Sequence, residues 1–304
     1  MDYQTTLHEA VKKRLLEVEG PLVFGNGESR TRRLYYLRSL DDNLAVPMSG
    51  SVRAMYENGS GSELDWKMCS IRSSSAMTFN ILGNGPVVIT AGSHAGTYNL
   101  VYEYQLPTLR NNPHPANLDA YLESDAADVY CEMKMFEWLG SPHHALRPDY
   151  LKASLYLIPR EEAEHFITLF RKLACIEVMG KGRNAERLSD GRYDSLQMAK
   201  HLLAIYGKVA GNAAYRPRKI ALLNCVWEFT NPNVLGRYEA KYLAMRDEEH
   251  EGFAKFSELA VEYVAPLFDA RGIALSVEYV TACDLIGSIS YEKRHKAKLA
   301  RYYI

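Results

Sequence analysis

Long apolar runs are missing from this 304-residue chain. No stretch approaches the ~20 consecutive apolar residues of a membrane helix, and the opening MDYQTTLHEAVKKRLLEVEG has no apolar segment of signal-peptide length behind its first charges. A cytoplasmic protein with no membrane partner is the expectation. Cysteine is also sparse. Cys69, Cys131, Cys175, Cys225 and Cys283 are odd in number, scattered and never in CxxC spacing, which excludes a zinc finger and a disulfide framework. Neither sign of charge is in excess: 36 basic against 37 acidic side chains leave a net charge of -1, so binding to phosphates would need a local basic surface rather than a basic total. With 47% hydrophobic and 24% charged residues, the composition is that of a folded globular protein of one large or two modest domains.

Leu7, Val11, Leu15 and Val18 stand at helical spacing and predict an opening amphipathic helix over 5–18. Turn-rich sequence follows to Gly61, so residues 1–70 are expected to form a helical and turn-rich extension and 71–304 the main domain, unless the two are continuous. Strands are predicted at 86–91, 99–106, 118–123, 128–135, 219–229 and 274–282. Helices are predicted at 149–173, 194–207 and about 239–271, with a basic helical segment at the end. Strands mixed with helices in this order predict an α/β (α+β) fold, a mixed β-sheet core flanked by helices with N-terminal and C-terminal helical elaborations.

The segment NLDAYLESDAADVYCEMKMFEW alternates cleanly. Ala120, Leu122, Val129, Cys131 and Met133 form an apolar face, opposite a face carrying Asp119, Tyr121, Glu123, Asp128, Tyr130, Glu132 and Lys134. A four-residue loop at Ser124 to Ala127 pairs Glu123 with Asp128 and, counting back, sets Asp119 opposite Glu132. Two like charges opposed across a ladder repel unless something positive lies between them. A hard divalent cation such as Mg²⁺, with Mn²⁺ as substitute, suits two carboxylates, and Lys134 on the same face is placed to hold an attacking water or a phosphate oxygen. Without metal, removing Asp119 or Glu132 is then expected to leave the chain at least as stable as before.

Asp119 followed by Glu132-Met133-Lys134 resembles the D…(D/E)xK signature of the PD-(D/E)XK nuclease superfamily, the restriction-endonuclease-like fold. Leu118 stands in place of the proline, with Pro115 nearby. Downstream, Gln197 and His201 in YDSLQMAKHLLAIYG resemble the QxxxY motif of RecB-type exonucleases, with His for Tyr. SSSAMTFNILG (73–83), ANLDAYLE, EMKMFEWL and YDSLQMAKHLL, in this order, resemble a bacterial group of restriction-endonuclease-like proteins over roughly residues 70–230. The resemblance implies Mg²⁺-dependent hydrolysis of phosphodiester bonds in DNA. Asp119 and Glu132 ligate metal with the Met133 carbonyl, Lys134 supplies positive charge, and Gln197 positions substrate or hairpin with His201 behind it.

Lys181, Arg183 and Arg187 in the loop 180–192, and the segment 216–219, flank the Gln197 helix in sequence and are the candidate phosphate contacts. Glu103 and Glu137 are accessory candidates, the second to orient Lys134 or a water. Bare acid-x-Lys triplets also occur at Asp65-Trp66-Lys67 and Glu239-Ala240-Lys241. His143 and His144 read as surface residues for want of a placed acid, and GKGRN lacks the GK[ST] ending of a P-loop. Two other readings stand beside the nuclease: a catalytically silent nucleic-acid-binding or scaffold protein on the same fold, and a di-iron helical oxidoreductase using Glu162, His165, Asp247 and His250. The sequence leaves a homo-oligomer open.

Overall fold

The computed structural model describes residues 1–304 except 20, 60–61, 111, 113, 141, 179–185, 216 and 304. Four short helices precede the sheet: α1 (Tyr3–Glu19), α2 (Arg30–Tyr35), α3 (Gly50–Asn58) and α4 (Ser74–Leu82). Strands β1 (Val87–Ile89), β2 (Gly96–Leu106), β3 (Ala116–Glu123) and β4 (Ala127–Lys134) form an antiparallel meander. After β5 (Ala145–Leu146) come α5 (Arg160–Leu173), β6 (Ile176–Val178), β7 (Glu186–Leu188) and α6 (Ser195–Gly211). The chain then returns as β8 (Lys219–Val226), α7 (Glu239–Tyr263), α8 (Ala265–Asp269), β9 (Ala274–Thr281), α9 (Ala282–Ser288) and α10 (Lys293–Tyr303). The main sheet has the order β1-β2-β3-β4-β8-β9, with β8 parallel to both β4 and β9, and a small sheet has the order β5-β7-β6. The fold is therefore mixed α/β, a partly parallel sheet flanked by helices.

Alternation divides the central strands between two apolar layers, as expected for strands covered on both faces. Ala120, Leu122, Val129, Cys131, Met133, Leu223 and Cys225 face a layer shared with α1, α4, α9 and α10. Tyr121, Tyr130, Ile220 and Leu222 face the layer under α5, α6, α7 and α8. The face of β3 and β4 that reads as polar in the sequence is thus largely covered: Asp128, Tyr130 and Glu132 are buried beneath α6, and Glu123 at the end of β3 is exposed. The residues on that face are tyrosines as well as charges, and their rings supply the area against which a helix packs.

Two helices expected to be continuous are broken by proline. Pro148 opens a 3-10 turn, Pro159 precedes α5, and the stretch between lacks an α-helix. Pro266 in the first turn of α8 cannot continue the hydrogen bonding of α7, which ends at Tyr263.

One irregularity positions the site. Residues two apart on a strand share a face. Yet Tyr102 lies in the first layer and Tyr104 against the second, and their partners Ala120 and Leu118 are divided in the same way. The sheet turns over between them, at Glu103 and Asp119. Glu103 accommodates the turn with φ +51°, a left-handed conformation that costs a non-glycine residue about 1–3 kcal/mol.

Candidate active site

The hairpin register is the one the alternation predicts: Glu123 pairs with Asp128 and Ala120 with Cys131. The described ladder stops there, one step before Asp119 and Glu132. Because β3 turns over at Asp119, its carboxylate swings toward β4 and accepts the Met133 N–H at 2.7 Å through Oδ2, a bond that a backbone carbonyl makes in an unbroken ladder. A residue's N–H and C=O point to the same side of a strand, so the Met133 carbonyl also faces β3.

Glu132, only 4% exposed, is held on both oxygens. Its Oε1 accepts from Lys134 Nζ and from Gln197 Nε2, both at 2.8 Å, and its Oε2 lies 3.0 Å from His201 Nε2. Gln197 Oε1 accepts from the same ammonium at 2.7 Å, closing a three-cornered network. The i, i+4 spacing puts Gln197 and His201 on one face of α6, over β4. Asp194 fixes where that helix starts, its Oδ1 accepting the Gln197 N–H at 3.0 Å.

The electrostatics of the two carboxylates diverge. Burial, reinforced by the Glu132 charge, raises the Asp119 carboxyl well above the usual range. Burial alone would raise Glu132 too, but the Lys134 ammonium and His201 overcome it and hold the carboxyl at about 2. Burial works against the Lys134 ammonium as well, and the facing Glu132 and Glu137 outweigh it and raise its pKa.

Asp119 opens on a cleft of about 500 Å³, whose lining includes Glu103, Glu137, Asn117, Arg72 and Ser73 to Ser75, with Glu63 held by Lys67 and Ser75. Glu103 accepts from Asn117 Nδ2 at 2.6 Å, and burial raises its carboxyl. Asn117 Oδ1 is buried without a donor. Among the described residues no three His, Cys, Asp or Glu side chains converge as a metal-binding group. The oxygens that share the cleft with Asp119 are nevertheless of the kind a hard cation takes: the Glu103 and Glu137 carboxylates and the orphaned Asn117 amide oxygen.

No protein-family model, curated protein or solved structure matches the chain.

The geometry unites Asp119, Glu132, Met133, Lys134, Gln197 and His201. Glu137 lies beside them but spends Oε2 on the Met135 and Phe136 N–H groups at 2.7 and 2.9 Å, which fixes the turn after β4. Of the basic candidates, Lys181 and Arg183 lie outside the described residues, and Arg187 on β7 is paired with Glu177. His144 is not a loose surface residue: Asp194 Oδ2 stands 3.2 Å from its Nδ1 and the Arg192 carbonyl 3.0 Å from its Nε2. The di-iron set is dispersed, with Glu162 on Arg271, His165 on the Tyr263 carbonyl and His250 on Glu228. Sequence reasoning missed Arg72, Asn117 and Glu249. The first stands next to the quoted SSSAMTFNILG segment, and the last lies in the Asp247 to His250 cluster weighed only for iron.

Proposed function

We propose that the chain is a Mg²⁺-dependent nuclease hydrolysing phosphodiester bonds in DNA on a restriction-endonuclease-like core. The observation that carries this reading is the buried network of Glu132, Lys134, Gln197 and His201 set directly behind Asp119, at the point where β3 turns over. A purely structural hairpin gains nothing from burying two acids and a lysine there, since apolar residues of similar volume serve stability as well or better.

Asp119 and the Met133 carbonyl would hold the cation, joined by Glu132 and with Glu103 and Asn117 beside them. A divalent cation so held acidifies water and neutralises phosphate charge. In the free protein Glu132 and Lys134 neutralise each other. In the proposed reaction Lys134 turns its charge to the phosphate as negative charge grows there, and Gln197, bonded to both, keeps the two side chains in register. Arg72, which lines the same cleft as Asp119, would be a contact for a nucleic-acid backbone entering it.

Incubating supercoiled plasmid and linear DNA with Mg²⁺ or Mn²⁺ tests the reading. Cleavage is expected, and Asp119→Asn and Lys134→Ala are each expected to lower its rate about 10²- to 10³-fold. Calorimetric Mn²⁺ affinity should fall for the first and persist for the second. A parent that cuts no DNA and binds Mn²⁺ no better than Asp119→Asn would leave the scaffold reading in place, and the saturated Glu132 carboxylate is the feature that favours that alternative. Arg72→Ala is expected to weaken DNA binding uniformly across sequences and to reduce the slope of log affinity against log salt by about 1, read by fluorescence anisotropy at several salt concentrations.

A further inference from the structure

A second cavity is lined by Lys134 and adjoins the Asp119 cleft, the two sharing Glu137. It measures about 40 Å³ and forms where β4, β8, the Arg192–Asp194 segment, α6 and α7 meet. Three side chains on its wall are more than nine-tenths buried and carry a polar atom with no partner: Glu249 Oε2 from α7, Asn224 Nδ2 from β8 and the Tyr193 hydroxyl. Buried polar groups are ordinarily paired, by protein or by ordered water. Three orphans from three separate elements around one cavity constitute a built polar site.

The volume suits water. One water needs about 10–15 Å³ and two to four polar partners, so the cavity has room and partners for water. The wall offers an amide donor, a phenol that donates or accepts, and a carboxyl. Lys134 lines the same cavity. Two of its ammonium hydrogens are used on Glu132 and Gln197, and an ammonium has three.

We infer that Glu249 is a positioning residue for Lys134, acting through water bound in this cavity. The inference rests on the reading of Lys134 as the lysine of the site. The water accepts the third ammonium hydrogen and links it to Glu249, Asn224 and Tyr193. While Glu249 is neutral, Glu132 is the carboxylate that holds the ammonium at 2.8 Å, with Glu137 and Asp119 adding a weaker pull. Once Glu249 ionises, a further carboxylate shares the ammonium and the hold of Glu132 weakens, so Glu249 sets how readily Lys134 turns toward a phosphate.

The charges around Glu249 come from every element packed against it: Lys134 on β4, Arg192 and Asp194 before α6, Glu228 after β8, and Glu137 with His144 on the cavity wall. Burial dominates and pushes the Glu249 carboxyl up to about 8, against the pull of Lys134 and Arg192. Gly252, nearly one turn further along α7, lets the wall close. A Cβ there would stand 2.6 Å from Tyr193 Cβ, so only glycine permits that approach.

The test reads the ¹⁵N resonance of the Lys134 ammonium in the full chain, assigned by its loss in Lys134→Arg. In the parent the resonance is expected to shift with pH around 8, and Glu249→Gln, nearly isosteric, to abolish that shift. Glu249→Asp, which keeps a carboxyl at shorter reach, should retain a shift with a displaced midpoint. An identical pH course in the parent and Glu249→Gln overturns the inference, whether or not the chain cuts DNA. A shift lost in Glu249→Gln supports the link between the two residues even if cleavage fails, in which case the nuclease reading alone falls.

Discussion

Glu132→Ala is expected to lower the unfolding free energy by about 3–5 kcal/mol, because removing one member of a buried ion pair leaves the other uncompensated. Lys134 would keep Gln197 but lose the carboxylate bonded to it, retaining only the weaker pull of Glu137 and Asp119, and His201 would lose the acceptor for Nε2. Opposed carboxylates alone lead to the contrary expectation, that losing either acid relieves repulsion. For Glu132 the structure removes that premise, since its charge is met by Lys134 before it is met by Asp119. The pH dependence has a definite sign. A free glutamate titrates at ~4.3 and this one lower, at about 2, so its contribution is full above pH ~4.3 and is lost as pH falls through the lowered value. Asp119→Asn should behave oppositely, keeping an acceptor for the Met133 N–H while removing a charge that burial and Glu132 disfavour, and so hold or raise stability at neutral pH. Urea unfolding of both variants decides the matter. A Glu132→Ala protein as stable as the parent would mean that Lys134 finds another countercharge.

Glu249→Gln is expected to stabilise the protein at alkaline pH. A glutamate raised to about 8 when folded, against ~4.3 when unfolded, gives the native state one more bound proton across that window. Its favourable contribution is complete below pH ~4.3 and declines as pH rises to 8, by on the order of 3–5 kcal/mol. Glutamine has no such ionisation. Parent and variant should therefore be alike near pH 4 and separate progressively toward pH 8, with the variant the more stable. Urea midpoints measured at intervals across this range test it, and parallel curves would show that Glu249 ionises freely in the fold.

What the sequence discloses and what it hides follow from distance along the chain. The β3–β4 register was legible because a period of two and a four-residue loop are local properties, and the i, i+4 spacing of Gln197 and His201 is equally local. Nothing local announces that the polar-looking face is roofed by α6, since tyrosines suit a wet face as well as a packed one. The turn-over at Glu103 was invisible for a different reason: its positive φ belongs to a residue type that gives no warning of it. Glu249 lies 115 positions beyond Lys134, and only the packing of α7 reveals that its carboxyl backs onto the site. Arg72 escapes notice because runs of Lys and Arg draw attention to loops, whereas it stands alone ahead of α4.

Helix α6 touches the hairpin at both ends. Gln197 and His201 bind Glu132, and Lys208 donates to the Tyr121 and Tyr130 hydroxyls at 3.0 and 3.1 Å, beside Asp128, which Tyr121 and Tyr215 also bind. From Gln197 to Lys208 the helix rises about 16 Å, roughly the length of five strand residues. The helix thus behaves as a splint fastened at two points. Neither strand can slide past the other by a residue without breaking one fastening, and α6 cannot lift without taking both. Amide exchange along β3, β4 and α6 should accordingly report one opening event rather than three, so that the site is lost or kept as a whole.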